Sequence, residues 1–169
     1  IEKHSPIAFS RIPIFNKDPD NRRICEELIY KNRYIIIYCN SQKEGKEINK
    51  LMNSIQDNCS KYIDCNTTKT ERQKIIMEYK NGLIPFIVNV RVLTEGFDAP
   101  ITRGVCFMHL PSSGTQIIQI IGRALRKHPL KTYAKIILPY STEDRAVSYF
   151  IFISLLIFIF FNFFVNLKI

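Results

Sequence analysis

Apolar positions along the chain alternate between two patterns. Ile24, Leu28 and Ile29 recur at helical spacing and predict a helix from Asp20 to about Lys31. Tyr34-Ile35-Ile36-Ile37-Tyr38-Cys39 then forms an unbroken β-branched and aromatic run, as expected of a strand covered on both faces. Ser41-Gln42-Lys43-Glu44 follows as a capping box and opens a helix to about Ile55. Tyr62 to Cys65 predicts a short strand. Thr70-Glu71-Arg72-Gln73 predicts a second capping box with a helix to about Lys80, stopped by Asn81-Gly82. Pro85 to Val90, Val105 to Leu110 and Ala134 to Leu138 complete five strands, with a helix over Thr115 to Arg126 before the last. Strands and helices alternating at this pace imply βαβ units. The expected fold class is α/β, a three-layer domain with a mostly parallel sheet over residues 20–140.

The two ends break this pattern. Residues 1–19 carry Pro6, Pro13 and Pro19 with no sustained period, and read as a linker leading into the domain. After Pro139 the composition shifts: residues 146–167 hold no charge and seven of the twelve phenylalanines. This hydrophobic C-terminal tail, 146–169, is long enough to span a bilayer as a helix. Three readings of it stand open: a membrane anchor, the run-on product of AT-rich non-coding sequence, or the start of a core helix whose domain is missing. Its position excludes a signal peptide. The chain starts at Ile1, so the sequence reads as a processed product or a fragment.

Composition narrows the class. Over 169 residues, 46% hydrophobic and 23% charged is a globular balance that excludes general disorder. A net charge of +9 points to an acidic partner, nucleic acid first and an anionic membrane surface second. Five cysteines, odd in number and without a CxxC pair, exclude a tidy zinc site or a fully paired disulfide framework. They suit a reducing compartment: cytoplasm, nucleus or virion. His4, His109 and His128 stand apart in sequence, and no metal site is expected. Isoleucine occurs 28 times against five alanines, a bias that AT-rich codons would produce.

Two segments carry candidate chemistry. Val92 to Pro100 follows an apolar strand, where loops of a parallel sheet face the ligand crevice. Gly96 permits a sharp turn or a close approach, and Asp98 offers an acceptor for a ribose hydroxyl. By itself the segment is also an ordinary Gly/Asp/Pro turn. In Gln119-Ile120-Ile121-Gly122-Arg123-Ala124-Leu125-Arg126, a continuous helix would place Gln119, Arg123 and Arg126 on one face, opposite the apolar residues. Two guanidiniums and an amide on one patch suit a polyphosphate. The competing reading is a solvated basic face.

Together the segments resemble the second RecA-like domain of superfamily 2 helicases. Thr94-Glu95-Gly96-Phe97-Asp98-Ala99-Pro100 is similar to that family's motif V, and Gln119 to Arg126 matches QxxGRxxR, its motif VI, at every defined position. Ile35 to Ser41 resembles motif IV, and Glu71-Arg72 the ER pair on the following helix. The resemblance covers residues 33–140. It implies that Arg123 and Arg126 act as arginine fingers on the γ-phosphate of ATP, with Gln119, Gly96 and Asp98 lining the nucleotide crevice. It also implies that Ser41 and Thr94 donate to nucleic-acid phosphates, RNA or DNA, single-stranded or duplex. Where many relatives carry a Thr shortly before the motif V glycine, this chain reads Asn89-Val90-Arg91, and Arg91 would contact phosphate in its place.

No GxxxxGK[ST] loop occurs in the sequence. The resemblance therefore implies an ATP site completed by an N-terminal RecA-like domain, in cis or in trans, which would also hold Mg2+. The first expectation is the C-terminal half of an ATP-dependent helicase or translocase. The alternative is a non-enzymatic truncated module that binds nucleic acid or a partner helicase, tethered to a membrane by 146–169. A third is a different α/β nucleotide-binding domain with coincidental motifs.

Overall fold

The computed structural model describes residues 7–14, 21–93, 99–109, 111, 113–124, 126, 128–129 and 131–141. The elements run β1 (Ile7–Ile14), α1 (Arg22–Lys31), β2 (Ile35–Cys39), α2 (Gln42–Ile55), β3 (Ser60–Ile63), α3 (Lys69–Lys80), β4 (Phe86–Val90), β5 (Gly104–Phe107), α4 (Gly114–Ala124) and β6 (Ala134–Ser141). Six strands form one sheet in the order β1-β6-β5-β2-β4-β3, and every pairing is parallel. All five residues of β2 and of β4 are buried, which is why their sequences show no alternation.

The side chains of these strands point alternately into two cores. Ile36, Tyr38, Ile87 and Val105 join Ile75 and Tyr79 of α3 and Ile117, Ile120 and Ile121 of α4. Ile35, Ile37, Val88 and Cys106 join Ile24 and Leu28 of α1 and Ile48 and Met52 of α2. The predicted three layers are therefore present, with α1 and α2 on one face and α3 and α4 on the other. Cys25, Cys39, Cys59 and Cys106 are buried as free thiols and behave as small apolar residues.

Three expectations shift. Residues 1–19 read as a linker, yet Ile7–Ile14 is a strand, paired with β6 from Ile7↔Ala134 to Ile14↔Ser141. The prolines that hid it are tolerated because β1 is the edge strand, where Pro13 can lack an N–H. The cap of α3 is Thr68, not Thr70: Thr68 accepts from Glu71 N, so Thr68-x-x-Glu71 supplies the capping spacing. Asn81 caps the far end and Gly82 takes φ 76°, as the Asn-Gly stop predicts. The third shift, at the end of α4, belongs to the site below. The hydrophobic stretch 146–169 lies outside the described residues. Among those residues no helix is long and apolar enough to cross a membrane.

Close packing at the sheet centre leaves Gly104 with no room for a side chain. A Cβ on Gly104 would collide with the Lys135 carbonyl and meet Ile35 Cδ1 at 3.0 Å. A backbone carbonyl in a ladder cannot move aside as a flexible side chain can. Gly104→Ala is expected to lower stability by about 1–3 kcal/mol, read as a shifted urea midpoint. An unchanged midpoint would show that β5 and β6 can separate without cost.

Candidate functional site

The chain leaves β2 through α2 toward β3, and leaves β5 through α4 toward β6, on opposite faces. β2 and β5 are neighbours, with Tyr38 opposite Phe107, so their carboxyl ends form the switch point where such sheets bind ligands. Ser41 stands at this point as the N-cap of α2, its hydroxyl accepting from Glu44 N at 3.2 Å. Glu44 is the hub: one carboxylate oxygen accepts from Asn40 N at 3.0 Å and the other lies 2.8 Å from His109 Nε2 at the end of β5. The predicted capping box forms, with its carboxylate reaching one residue beyond the cap. His109, isolated in sequence, joins α2 to β5 in space.

Next to this point β4 ends in a polar clasp. Asn89 is fully buried, and its Oδ1 accepts from Val92 N at 3.3 Å and Leu93 N at 3.0 Å. Its Nδ2 is buried with no hydrogen-bond partner among the described residues. Arg91, inside the turn, is exposed and takes φ 58°, a left-handed conformation uncommon outside glycine. Tyr38 OH donates to Leu93 O at 3.4 Å. Thr94, Gly96 and Asp98 lie outside the described residues. The chain is held again beyond them, where Thr102 N donates to Ala99 O at 3.0 Å and Tyr79 OH to Thr102 Oγ1 at 3.3 Å.

Helix α4 is seated by Ile117, Ile120, Ile121 and Ala124, all buried. Burial of its three isoleucines, about 1.5–3 kcal/mol each, outweighs the cost of Gly122 in a helix, about 1 kcal/mol. Gln119 is exposed, and Arg123 follows one turn later along the helix. The expected helix to Arg126 is corrected: α4 ends at Ala124, and exposed Arg126 lies beyond it in a lone β-bridge. The expected i, i+4, i+7 series on one continuous helix therefore does not extend to Arg126. Lys131 binds at this helix end. Its ammonium donates to Ala124 O at 2.7 Å and Thr102 O at 3.1 Å, satisfying the helix end with a cation. Burial pushes Lys131 down to about 8. This one side chain links the end of α4 to the segment that returns from Gly96 and Asp98.

At the carboxyl end of β3, Asp64 builds a loop that sequence reading passed over. Its Oδ1 accepts from Asn66 N at 2.9 Å, Thr67 N at 3.0 Å and Thr67 Oγ1 at 3.2 Å, and its Oδ2 from Tyr62 OH at 2.9 Å. Arg72 donates to Thr67 O at 3.2 Å, so the ER-pair arginine is tied to this loop. The run Asp64-Cys65-Asn66-Thr67 was the available signal, being ordinary Asx-turn chemistry. Burial raises the Asp64 carboxyl, but the bonds from Tyr62, Asn66 and Thr67 outweigh it and hold the group below 3.8. A lowered carboxylate stabilises the fold above its unfolded pKa, and that contribution is lost as pH falls through the folded value. Asp64→Asn is thus expected to cost about 1–3 kcal/mol at pH 7, with the gap to the parent closing below pH of about 4. Denaturant titrations at both pH values check this; a gap independent of pH would contradict the charged acceptor.

The sequence and the fold match known proteins. The family model described as the helicase conserved C-terminal domain matches residues 20–128. Over 76 residues the chain is 36% identical to the putative ATP-dependent helicase IRC3 of Saccharomyces cerevisiae, covering 45% of this chain and 11% of that protein. A DEAD box protein from the hyperthermophile Methanococcus jannaschii superposes with a TM-score of 0.66 at 21% identity, over 88% of this chain and 40% of that one. The helicase MrfA, in a structure bound to DNA, gives a TM-score of 0.64 at 20% identity, over 86% of this chain and 22% of that one. The chain thus spans less than half the length of each of these proteins. With the parallel sheet, the carboxyl-edge switch point and the QxxGRxxR series in place, the chain belongs to the helicase conserved C-terminal domain family.

Proposed function

We propose that the chain is the second motor domain of an ATP-dependent nucleic-acid helicase or translocase, acting with a first RecA-like domain supplied in cis or in trans. The observation that carries this reading is the Gln119 to Arg126 series. It begins on a helix packed into the core by three isoleucines, and its last arginine follows a helix end held by Lys131. In this reading Arg123 and Arg126 neutralise charge developing on the γ-phosphate, and Gln119 senses the same group. Gly96 and Asp98 line the nucleotide crevice. An arginine finger contributes about 10³–10⁵ in rate, or roughly 4–7 kcal/mol of barrier.

These donors fit a polyphosphate. Among the described residues no cluster of three His, Cys, Asp or Glu side chains is placed to hold a metal. In this reading Mg2+ is held by the first domain. Ser41, Arg91 and Thr94 face the nucleic-acid backbone in this reading, which makes recognition independent of sequence and sensitive to salt. The name of the yeast relative, the DNA-bound MrfA structure and the +9 charge support it. Closing of the cleft would bring Arg123 and Arg126 to the phosphate, and opening after hydrolysis would move the two domains along the strand.

Combined with a competent first RecA-like domain, the chain is expected to give ATPase stimulated by nucleic acid. Arg126→Ala should lower the stimulated rate by about 10³-fold or more while oligonucleotide binding persists. Full activity in that variant would refute the finger assignment. Binding without turnover by the parent chain would favour the non-enzymatic module.

A further inference from the structure

The opposite edge of the sheet carries chemistry that the carboxyl edge does not use. Where the chain enters β2, β5 and β6, a cavity of about 130 Å³ is lined by Lys31, Arg33, Arg103, Lys131 and Lys135. Topology brings them together. Lys31 ends α1, Arg33 precedes β2, Arg103 precedes β5, and Lys131 and Lys135 flank the start of β6. Main-chain bonds fix the three entrances to one another: Arg103 N donates to Tyr34 O and Lys135 N to Arg103 O, both at 2.8 Å.

The charge gathered there is poorly compensated. Lys31 pairs with Glu27 at 2.8 Å. Lys135 donates to the neutral Asn32 Oδ1 at 2.8 Å, and Lys131 to two carbonyls. The guanidinium carbons of Arg33 and Arg103 lie 6.0 and 5.5 Å from the Tyr34 ring centroid, a contact that orients them without neutralising them. Among the described residues none of Arg33, Arg103, Lys131 and Lys135 has a carboxylate partner. Burial already disfavours the Lys131 ammonium, and a bound anion would relieve that cost.

Size and charge select the ligand. The cavity is smaller than the roughly 300–1,000 Å³ of organic-ligand pockets, so it suits a compact group. Several cations call for more than one negative charge, and two planar guanidiniums match oxygens held on a single centre. We propose that this cavity is a phosphate-binding site, separate from the strand exits and sharing with the site described above only Lys131. The phosphate belongs either to a small free compound or to a nucleic-acid backbone.

Calorimetric titration of the 169-residue chain with inorganic pyrophosphate, and separately with a short single-stranded oligonucleotide, tests this. The double variant Arg33→Gln/Arg103→Gln removes two cavity charges. Lys50→Gln/Lys74→Gln removes two exposed charges, one each from α2 and α3, and controls for net charge. The cavity pair is expected to weaken pyrophosphate binding about tenfold or more, as lost charged hydrogen bonds would, with the control pair nearly unchanged. Should the cavity pair fold poorly by circular dichroism, Lys135→Gln reads the same loss. If oligonucleotide affinity falls in parallel, the phosphate is that of a nucleic acid; if only pyrophosphate is affected, it is a free compound. Equal losses in cavity and control variants, or no pyrophosphate binding by the parent, would overturn the site.

Discussion

A sheet in which every ladder is parallel imposes one constraint on all that follows. Each strand must be followed by a crossover that returns the chain to the same starting edge. Both faces are then covered by helices, and every strand exit falls on one edge, every entrance on the other. In this chain the exits of β2, β3, β4 and β5 carry Ser41, Asp64, Arg91 and His109, while the entrances of β2, β5 and β6 gather Arg33, Arg103, Lys131 and Lys135. Residues far apart in sequence thus fall into two separate groups because of topology, before any side chain interacts with another.

On the exit edge, side-chain hydrogen bonds replace regular structure. Glu44 connects α2 to β5 through His109. Asn89 turns β4 outward by accepting two main-chain N–H groups. At the entrance edge Lys131 holds Ala124 and Thr102 together. Asn89 is the fully buried member of the three, and a buried carboxamide is costly when unpaired, so it fixes the main chain it touches. The segment from Thr94 to Asp98 and the arginines at the end of α4 are flanked by these ties.

Much of the fold was legible because burial on both faces leaves an unmistakable run. Ile35-Ile36-Ile37 and Phe86-Ile87-Val88 read as strands from composition alone, and Ser41-x-x-Glu44 gave the start of α2. The edge strand β1 was not legible, since prolines acceptable at an edge resemble a linker. The end of α4 was missed for a different reason. Gln119 to Arg126 continues a helical pattern, while the helix ends at Ala124, whose carbonyl accepts from Lys131 across the loop, a contact that no local pattern encodes. The motif residues of the candidate site were visible in order. Glu44–His109 and the Lys131 bridge depended on tertiary proximity, whereas Asp64, with partners two or three residues away, and the asparagine inside the apolar run of β4 were local signals.

The central claim is that the exits of β2 and β4, together with α4 and Arg126 beyond it, form the face that meets nucleotide, nucleic acid and a first RecA-like domain. Amide hydrogen exchange on the chain, with and without that domain, a non-hydrolysable ATP analogue and a single-stranded oligonucleotide, measures this directly. The account predicts new protection confined to residues 40–44, 89–98 and 114–126. Protection that fell on the strand entrances instead, or none at all in those three segments, would contradict it.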